Sequence, residues 1–283
     1  ILDIADLTVD GSICTGAAVC TVLIMRNINP WLALLCAVLA GAVTGLLHVG
    51  LGIPPILAGI LTQMVLWSVN LKLLGKANQA LPARTTPVLL SQMDVGGALP
   101  VLLGFCVGLV ALLVLFFGTE LGSSLRATGA NGNMARAQGI NTNFNIVLGL
   151  AVSNALVALS GALLSQYQGF ADVGMGRGAI VIGLAAVIIG EAVFSRIFHN
   201  FALKLASVSI GAIIYYIVIQ LVLTLGFDAN LLKLLSASVV AVFLAVPYWK
   251  GKYFSKPVKK AKEDAKNACL LYTSPSPRDY AAS

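Results

Sequence analysis

From Leu99 to Gly118 the chain runs for 20 residues without one Asp, Glu, Lys, Arg or His. A helix of that length spans about 30 Å, the thickness of a bilayer's hydrocarbon core. It also has no polar face to turn towards water. The stretch has companions. Trp31–Leu51 carries only His48, and Phe144–Leu164, Gly178–Phe194, Phe201–Phe227 and Leu231–Trp249 are comparably apolar. Ser12–Met25 and Pro54–Val69 are shorter, of half-spanning length. About eight membrane segments follow from this count. Composition agrees: 58% of the 283 residues are hydrophobic and 10% are charged, against about a quarter charged in a soluble domain. The expected fold class is therefore all-α, a polytopic integral membrane bundle whose solvent is lipid.

Charge then orients the bundle. The net charge is +7, and Lys250, Lys252, Lys256, Lys259, Lys260, Lys262 and Lys266 crowd one stretch after the last apolar run. Such a juxtamembrane basic tail is expected in the cytoplasm. Alternating backwards puts the loop at Asp228 outside, Ser195–Asn200 with Arg196 and His199 inside, Gln166–Arg177 outside and the polar segment Thr119–Asn143 inside. The same alternation puts Asn70–Ala98 outside although it carries Lys72, Lys76 and Arg84, so the charge rule does not support the orientation before Leu99. Nothing in the basic tail interleaves aromatics with Lys or Arg in a base-stacking pattern, which argues against nucleic-acid binding. Cys14, Cys20, Cys36, Cys106 and Cys269 form no C-x-x-C pair and no metal-ligand spacing, so no metal site, disulfide or cofactor is expected.

Both ends are unusual. The sequence opens Ile1-Leu2-Asp3 with no initiator Met and no signal peptide, and one N-terminal helix is expected to be missing. Cys269–Asp279 (CLLYTSPSPRD) resembles the in-frame translation of a transposase adapter used in library sequencing. A disordered proline-containing tail is the alternative, and either reading sets 269–283 apart from the fold.

Thr119–Asn143 is longer than a turn between adjacent spans requires. Within it Asn131–Gln138, bounded by Gly129 and Gly139, suffices for two helical turns lying on the membrane surface; a solvated loop is the alternative. Small residues at Gly41-x-x-x-Gly45, Gly149-x-x-x-Ser153 and Gly161-x-x-x-Ser165 suit helices that touch closely in lipid.

The run RATGANGNMARAQGIN (Arg126–Asn141), followed by SGALLSQYQGF (Ser160–Phe170) and GAIVIGLAAVIIGE (Gly178–Glu191), resembles the permease subunits of bacterial ABC importers of the branched-chain amino acid and ribose type. Ile1–Val19 is similar to the family segment after its first membrane helix. Ile56–Asn78 looks like the subgroup paired with binding lipoproteins for tryptophan or tyrosine. The resemblance covers about Ile1–Lys262. It implies a permease domain over 1–249, a basic cytoplasmic tail over 250–268, and a coupling segment over 119–143 that docks on the ATPase subunits through Ala130, Asn131, Asn133, Met134, Arg136, Ala137, Gln138 and Gly139. The implied partners are two ABC ATPase subunits, an extracytoplasmic substrate-binding lipoprotein and a second permease copy, identical or a sister chain. The implied location is the bacterial cytoplasmic (inner) membrane. The chain itself is expected not to be an enzyme.

Polar residues within the apolar runs have two readings each. Gln63, Asn154 and Gln220 either hydrogen-bond between helices or line a translocation path. Glu191 suits an ion pair with Arg196 or Lys204 better than proton coupling. Gly174-x-Gly176-x-Gly178 has no preceding strand and no Lys-Ser/Thr pair, so it is expected to be a flexible loop rather than a phosphate cradle. Asp3, Asp6 and Asp10 are expected to mark a helix boundary near the surface. An ion-coupled secondary carrier is the alternative function, but such carriers place ionisable groups near the midplane, and the linear sequence shows none clearly there.

Overall fold

The computed structural model of the chain describes residues 6–50, 55–82, 88–91, 95–194 and 201–224 and a few positions between 234 and 245. Two compact units are distinguished, Ile1–Leu221 and Val222–Ser283, and the account below concerns the first. The expected span Leu231–Trp249 lies largely, and Arg196, His199, the Lys-rich tail and 269–283 entirely, outside the described residues.

The other expected segments are helices: α1 (Val9–Met25), α2 (Pro30–Gly50), α3 (Pro55–Leu74), α4 (Val95–Gly118), α7 (Thr142–Gln168), α8 (Ala179–Phe194) and α9 (Phe201–Thr224). Two more, α5 (Glu120–Ala130) and α6 (Gly132–Ala137), lie between α4 and α7. Gly96–Gly118, Thr142–Gln168 and Phe201–Leu221 are long and apolar enough to cross a membrane. Among the described residues the fold is all-α apart from one antiparallel ribbon of β1 (Asn78–Ala80) and β2 (Phe170–Asp172), in the register Gln79↔Ala171.

Local chemistry sets the turns. At the end of α1, Asn27 adopts φ 58° and the amides of Asn27 and Ile28 return to the carbonyls of Ile24 and Leu23, a Schellman closure with Asn in the left-handed position. Asn29 then accepts from the Trp31 amide at 3.1 Å, and Pro30 opens α2, a capping residue followed by a residue that has no N–H to lose.

α7 is the spine. Its 27 residues cover about 40 Å, and α1 and α2 pack along it. α1 approaches very closely: a Cβ on Gly16 would lie 2.0 Å from the Ala158 carbonyl oxygen, and one on Gly161 would lie 2.1 Å from that of Ile13. Gly161 thus performs the close approach expected of its motif and Ser165 is buried, whereas Ser153 is exposed. The described core joins Cys20 and Ile24 of α1, Ala33, Leu34 and Ala37 of α2, and Leu159, Ala162 and Leu163 of α7. Leu99, Leu103, Val107, Leu112 and Leu115 of α4 are exposed on the chain's surface, a patch that lipid accepts and water would not.

Contacts between loops establish which ends lie together. The β1–β2 pairing unites the segments after α3 and after α7 at one end. At the other, the Phe117 and Phe201 rings meet edge to face at 5.3 Å, joining the end of α4 to the start of α9 beside α5. The segment near Asn78 therefore lies at the same end of the bundle as the segment near Ala171.

Candidate functional site

The first candidate site is the α5–α6 hairpin. Thr119 starts α5 by accepting from the Gly122 amide at 3.3 Å, and Glu120 stands in the first turn, where a carboxylate suits the helix dipole. The sequence reading had no helix here. The Thr119-Glu120 start signal was present, but Gly122, Ser123, Ser124, Thr128 and Gly129 favour helices poorly. Asn131 then breaks the helix with an extended backbone, and its side chain accepts from the amides of Asn133 (3.1 Å) and Met134 (3.2 Å). A Schellman closure at Gly139, φ 81°, ends α6.

Three anchors hold the hairpin to long helices. Buried Asn145 of α7 donates to the Thr128 hydroxyl at 2.8 Å. Arg126 donates to the Phe117 carbonyl oxygen at 3.0 Å and lies 5.7 Å above the Phe201 ring, a cation at the C-terminal end of α4. Arg136 donates to the Thr142 hydroxyl at 2.8 Å. Ala135 is the one buried residue of α6, while Ala130, Asn131, Asn133, Met134, Arg136, Ala137, Gln138 and Gly139 are all exposed, Met134 at 62%. The eight positions singled out in the sequence are thus all exposed.

The second candidate lies inside the bundle, where the three amides part company. Asn154 is fully buried. It donates to Asp6 Oδ2 at 2.8 Å and to the Leu150 carbonyl at 3.0 Å, and accepts from the Ser12 hydroxyl at 2.5 Å. Thr8 joins the same knot through Asp6 Oδ1. Every polar atom of Asn154 is used to tie the start of α1 to α7. Gln220 is exposed on α9, and Gln63 is half-buried on α3. Glu191 is exposed; Arg196 lies outside the described residues. Among the buried amides that sequence reasoning passed over is Gln166, which donates to Cys20 Sγ at 3.2 Å and accepts from the Leu89 amide at 3.0 Å.

The segment after β2 is not the free loop expected. It descends along α1, with Ala171 and Val173 beside Ala17 and Ala18. Cys14 then donates to the Val173 carbonyl at 3.1 Å, and Gly176 is buried with its Cα pressed against the Asp10 carbonyl, where a Cβ would come within 2.0 Å. α8 begins at that depth, and its first amides are capped by Asp10, which accepts from Gly178 at 3.1 Å and Ile180 at 3.3 Å. From Ala17 to Asp10 is seven residues, roughly 10 Å of helix. Asp10 lies in the first turn of α1 and Asp6 just before it, so both mark the helix boundary expected of them, each half-buried, while Arg177 is exposed in the loop before α8; Asp3 lies outside the described residues. Asp6 and Asp10 come from the start of α1 and Arg177 from the loop before α8.

Comparison with known proteins decides between transporter classes. The family model described as branched-chain amino acid transport system / permease component matches residues 1–246. The chain belongs to this family. It is accordingly a multi-pass membrane permease of the ABC importer type, a transport component and not itself an enzyme. Among its relatives, the tyrosine transport system permease protein of Clostridioides difficile (strain R20291) is 37% identical over 87% of this chain and 82% of its own length. An uncharacterized protein of Rickettsia prowazekii (strain Madrid E) is 37% identical over 87% of this chain and 88% of its own. The autoinducer 2 import system permease protein of Escherichia coli (strain K12 / DH10B) is 28% identical over 64% and 55% respectively. No solved structure matches the chain.

Proposed function

We propose that this permease carries a small solute, an amino acid or related compound with aromatic and branched-chain side chains as first candidates, across the bacterial cytoplasmic membrane. An extracytoplasmic binding lipoprotein delivers it and two ABC ATPase subunits drive it. A second permease copy, identical or sister, completes the channel, and the basic tail over 250–268 lies in the cytoplasm. The amino acid assignment is supported by the relative named for tyrosine transport.

One observation carries the drive mechanism. The exposed residues of 130–139 sit on a hairpin whose three anchors, Arg126 and Thr128 on α5 and Arg136 on α6, lead into α4, α7 and the start of α9. A push on α6 passes through Arg136 to the first turn of α7 and through Asn145 to α5, so an ATPase closing against Met134 would act on the spine directly. Packed helices respond to such a push by moving between discrete arrangements. In this reading 119–143 is the coupling segment. Met134→Asp places a charge at the centre of that surface and is expected to abolish co-purification of the neighbouring ATPase gene product with tagged permease, while membrane flotation still finds the variant inserted. Undiminished co-purification would remove the assignment.

A further inference from the structure

Between α1, α3 and the re-entrant loop lies a crevice of about 30 Å³ lined by Asp10, Cys14, Gln63, Trp67, Asn70 and Arg177. Gln63, Trp67 and Asn70 stand at i, i+4 and i+7 on α3, one face of the helix. The Asn70 side chain is fully buried, and neither its nitrogen nor its oxygen has a hydrogen-bond partner. A buried amide without partners costs about 1–3 kcal/mol and is rare in native folds unless something else satisfies it. The two charged walls are prepared for opposite ends of a ligand. Asp10 uses one lone pair on each oxygen for the α8 amides, and a carboxylate offers about four. The Arg177 guanidinium carbon lies 4.5 Å from the centroid of the Trp67 ring, and a guanidinium carries five N–H donors in a fork that matches a carboxylate. Trp67 and Arg177 are exposed at the mouth. An arginine at this depth is expensive against lipid, so the mouth suits a watery path.

We propose that the crevice binds the zwitterionic head of a free amino acid, its α-carboxylate on Arg177, its α-ammonium on Asp10, and the Asn70 amide completing the contacts. The volume admits about two water-sized groups, so the ammonium lies inside beside Asp10 and Asn70 while the carboxylate and side chain stay in the exposed mouth beside Arg177 and Trp67. This inference rests on the importer reading and locates a substrate contact within the permease itself.

The test uses Trp67 fluorescence in full-length permease carrying Trp31→Phe and Trp249→Phe, titrated with L-leucine, with isoamylamine, which lacks the carboxylate, and with 4-methylpentanoate, which lacks the ammonium. Saturable quenching by L-leucine, at least about tenfold tighter than by either analogue, is expected. Arg177→Gln should weaken L-leucine by about ten- to a hundredfold and leave isoamylamine unchanged. Because Asp10 also caps α8, Asn70→Leu serves as the fold-safe variant: its melting temperature should equal or exceed the parent's, since an orphan amide is removed, while L-leucine weakens about tenfold or more. Identical responses to all three probes, or unchanged affinity in both Arg177→Gln and Asn70→Leu, would show water or an adventitious occupant and overturn the site. ATP-driven uptake by proteoliposomes of the complete transporter is measured in parallel. Uptake without a Trp67 response removes the site and leaves the importer; a discriminating Trp67 response without uptake removes the importer and leaves the site.

Discussion

At the residue scale, space and hydrogen-bond completeness matter more here than hydrophobicity, because lipid supplies no drive for helices to associate. Gly16 illustrates the first. Its missing side chain lets the Ala158 carbonyl touch the α1 backbone, and any Cβ must push the two helices apart. Gly16→Leu is expected to destabilise the permease by roughly 1–3 kcal/mol or more, read as a lowered melting temperature in detergent. Asn154 illustrates the second, since all its polar atoms are engaged with Asp6, Ser12 and Leu150. Its presence in an apolar run was legible in the sequence, but its partners were not. They lie 142 and 148 residues away, and no local spacing encodes such a pairing.

At the element scale, helices begin and end where capping chemistry appears. Asn29-Pro30, Thr119-Glu120, Asn131 and Gly139 are all local signals. Asn131→Ala removes the acceptor for the Asn133 and Met134 amides and is expected to cost about 1 kcal/mol. Faster hydrogen exchange at those two amides, with α5 unaffected, is the result to look for; unchanged exchange would show that α6 does not depend on its cap. The expectation of a short helix over Asn131–Gln138 is close to the observed Gly132–Ala137. α5 was missed because its glycines and serines conceal a helix that tertiary anchors hold, with Thr128 bonded to Asn145 and Arg126 bonded to the end of α4. The descending loop was missed for a related reason. Gly174, Gly176 and Gly178 suggest freedom when read locally, yet Gly176 is there because only a bare Cα fits against Asp10.

At the scale of the whole molecule, the β1–β2 ribbon and the α5–α6 hairpin occupy opposite ends of α7. Single cysteines at Asn78 and at Met134, both exposed, should therefore react with a membrane-impermeant thiol reagent from opposite sides of sealed vesicles. Labelling of both from one side would contradict the arrangement of the bundle. Hydropathy, charge and motif were enough, taken alone, to specify an all-α membrane bundle, the segments α1–α4 and α7–α9, and a resemblance to importer permeases, because a lipid solvent imposes length and polarity limits on each segment independently of the others. Only the tertiary structure decided where the inner charges lie. Asp6, Asp10 and Arg177 sit at segment ends in the sequence; Asp6 reaches Asn154, and Asp10 and Arg177 line one crevice, because α1 starts partway along α7 and the loop before α8 returns along α1. Depth in a membrane depends on where each helix begins relative to its neighbours, and that offset comes from packing between distant residues.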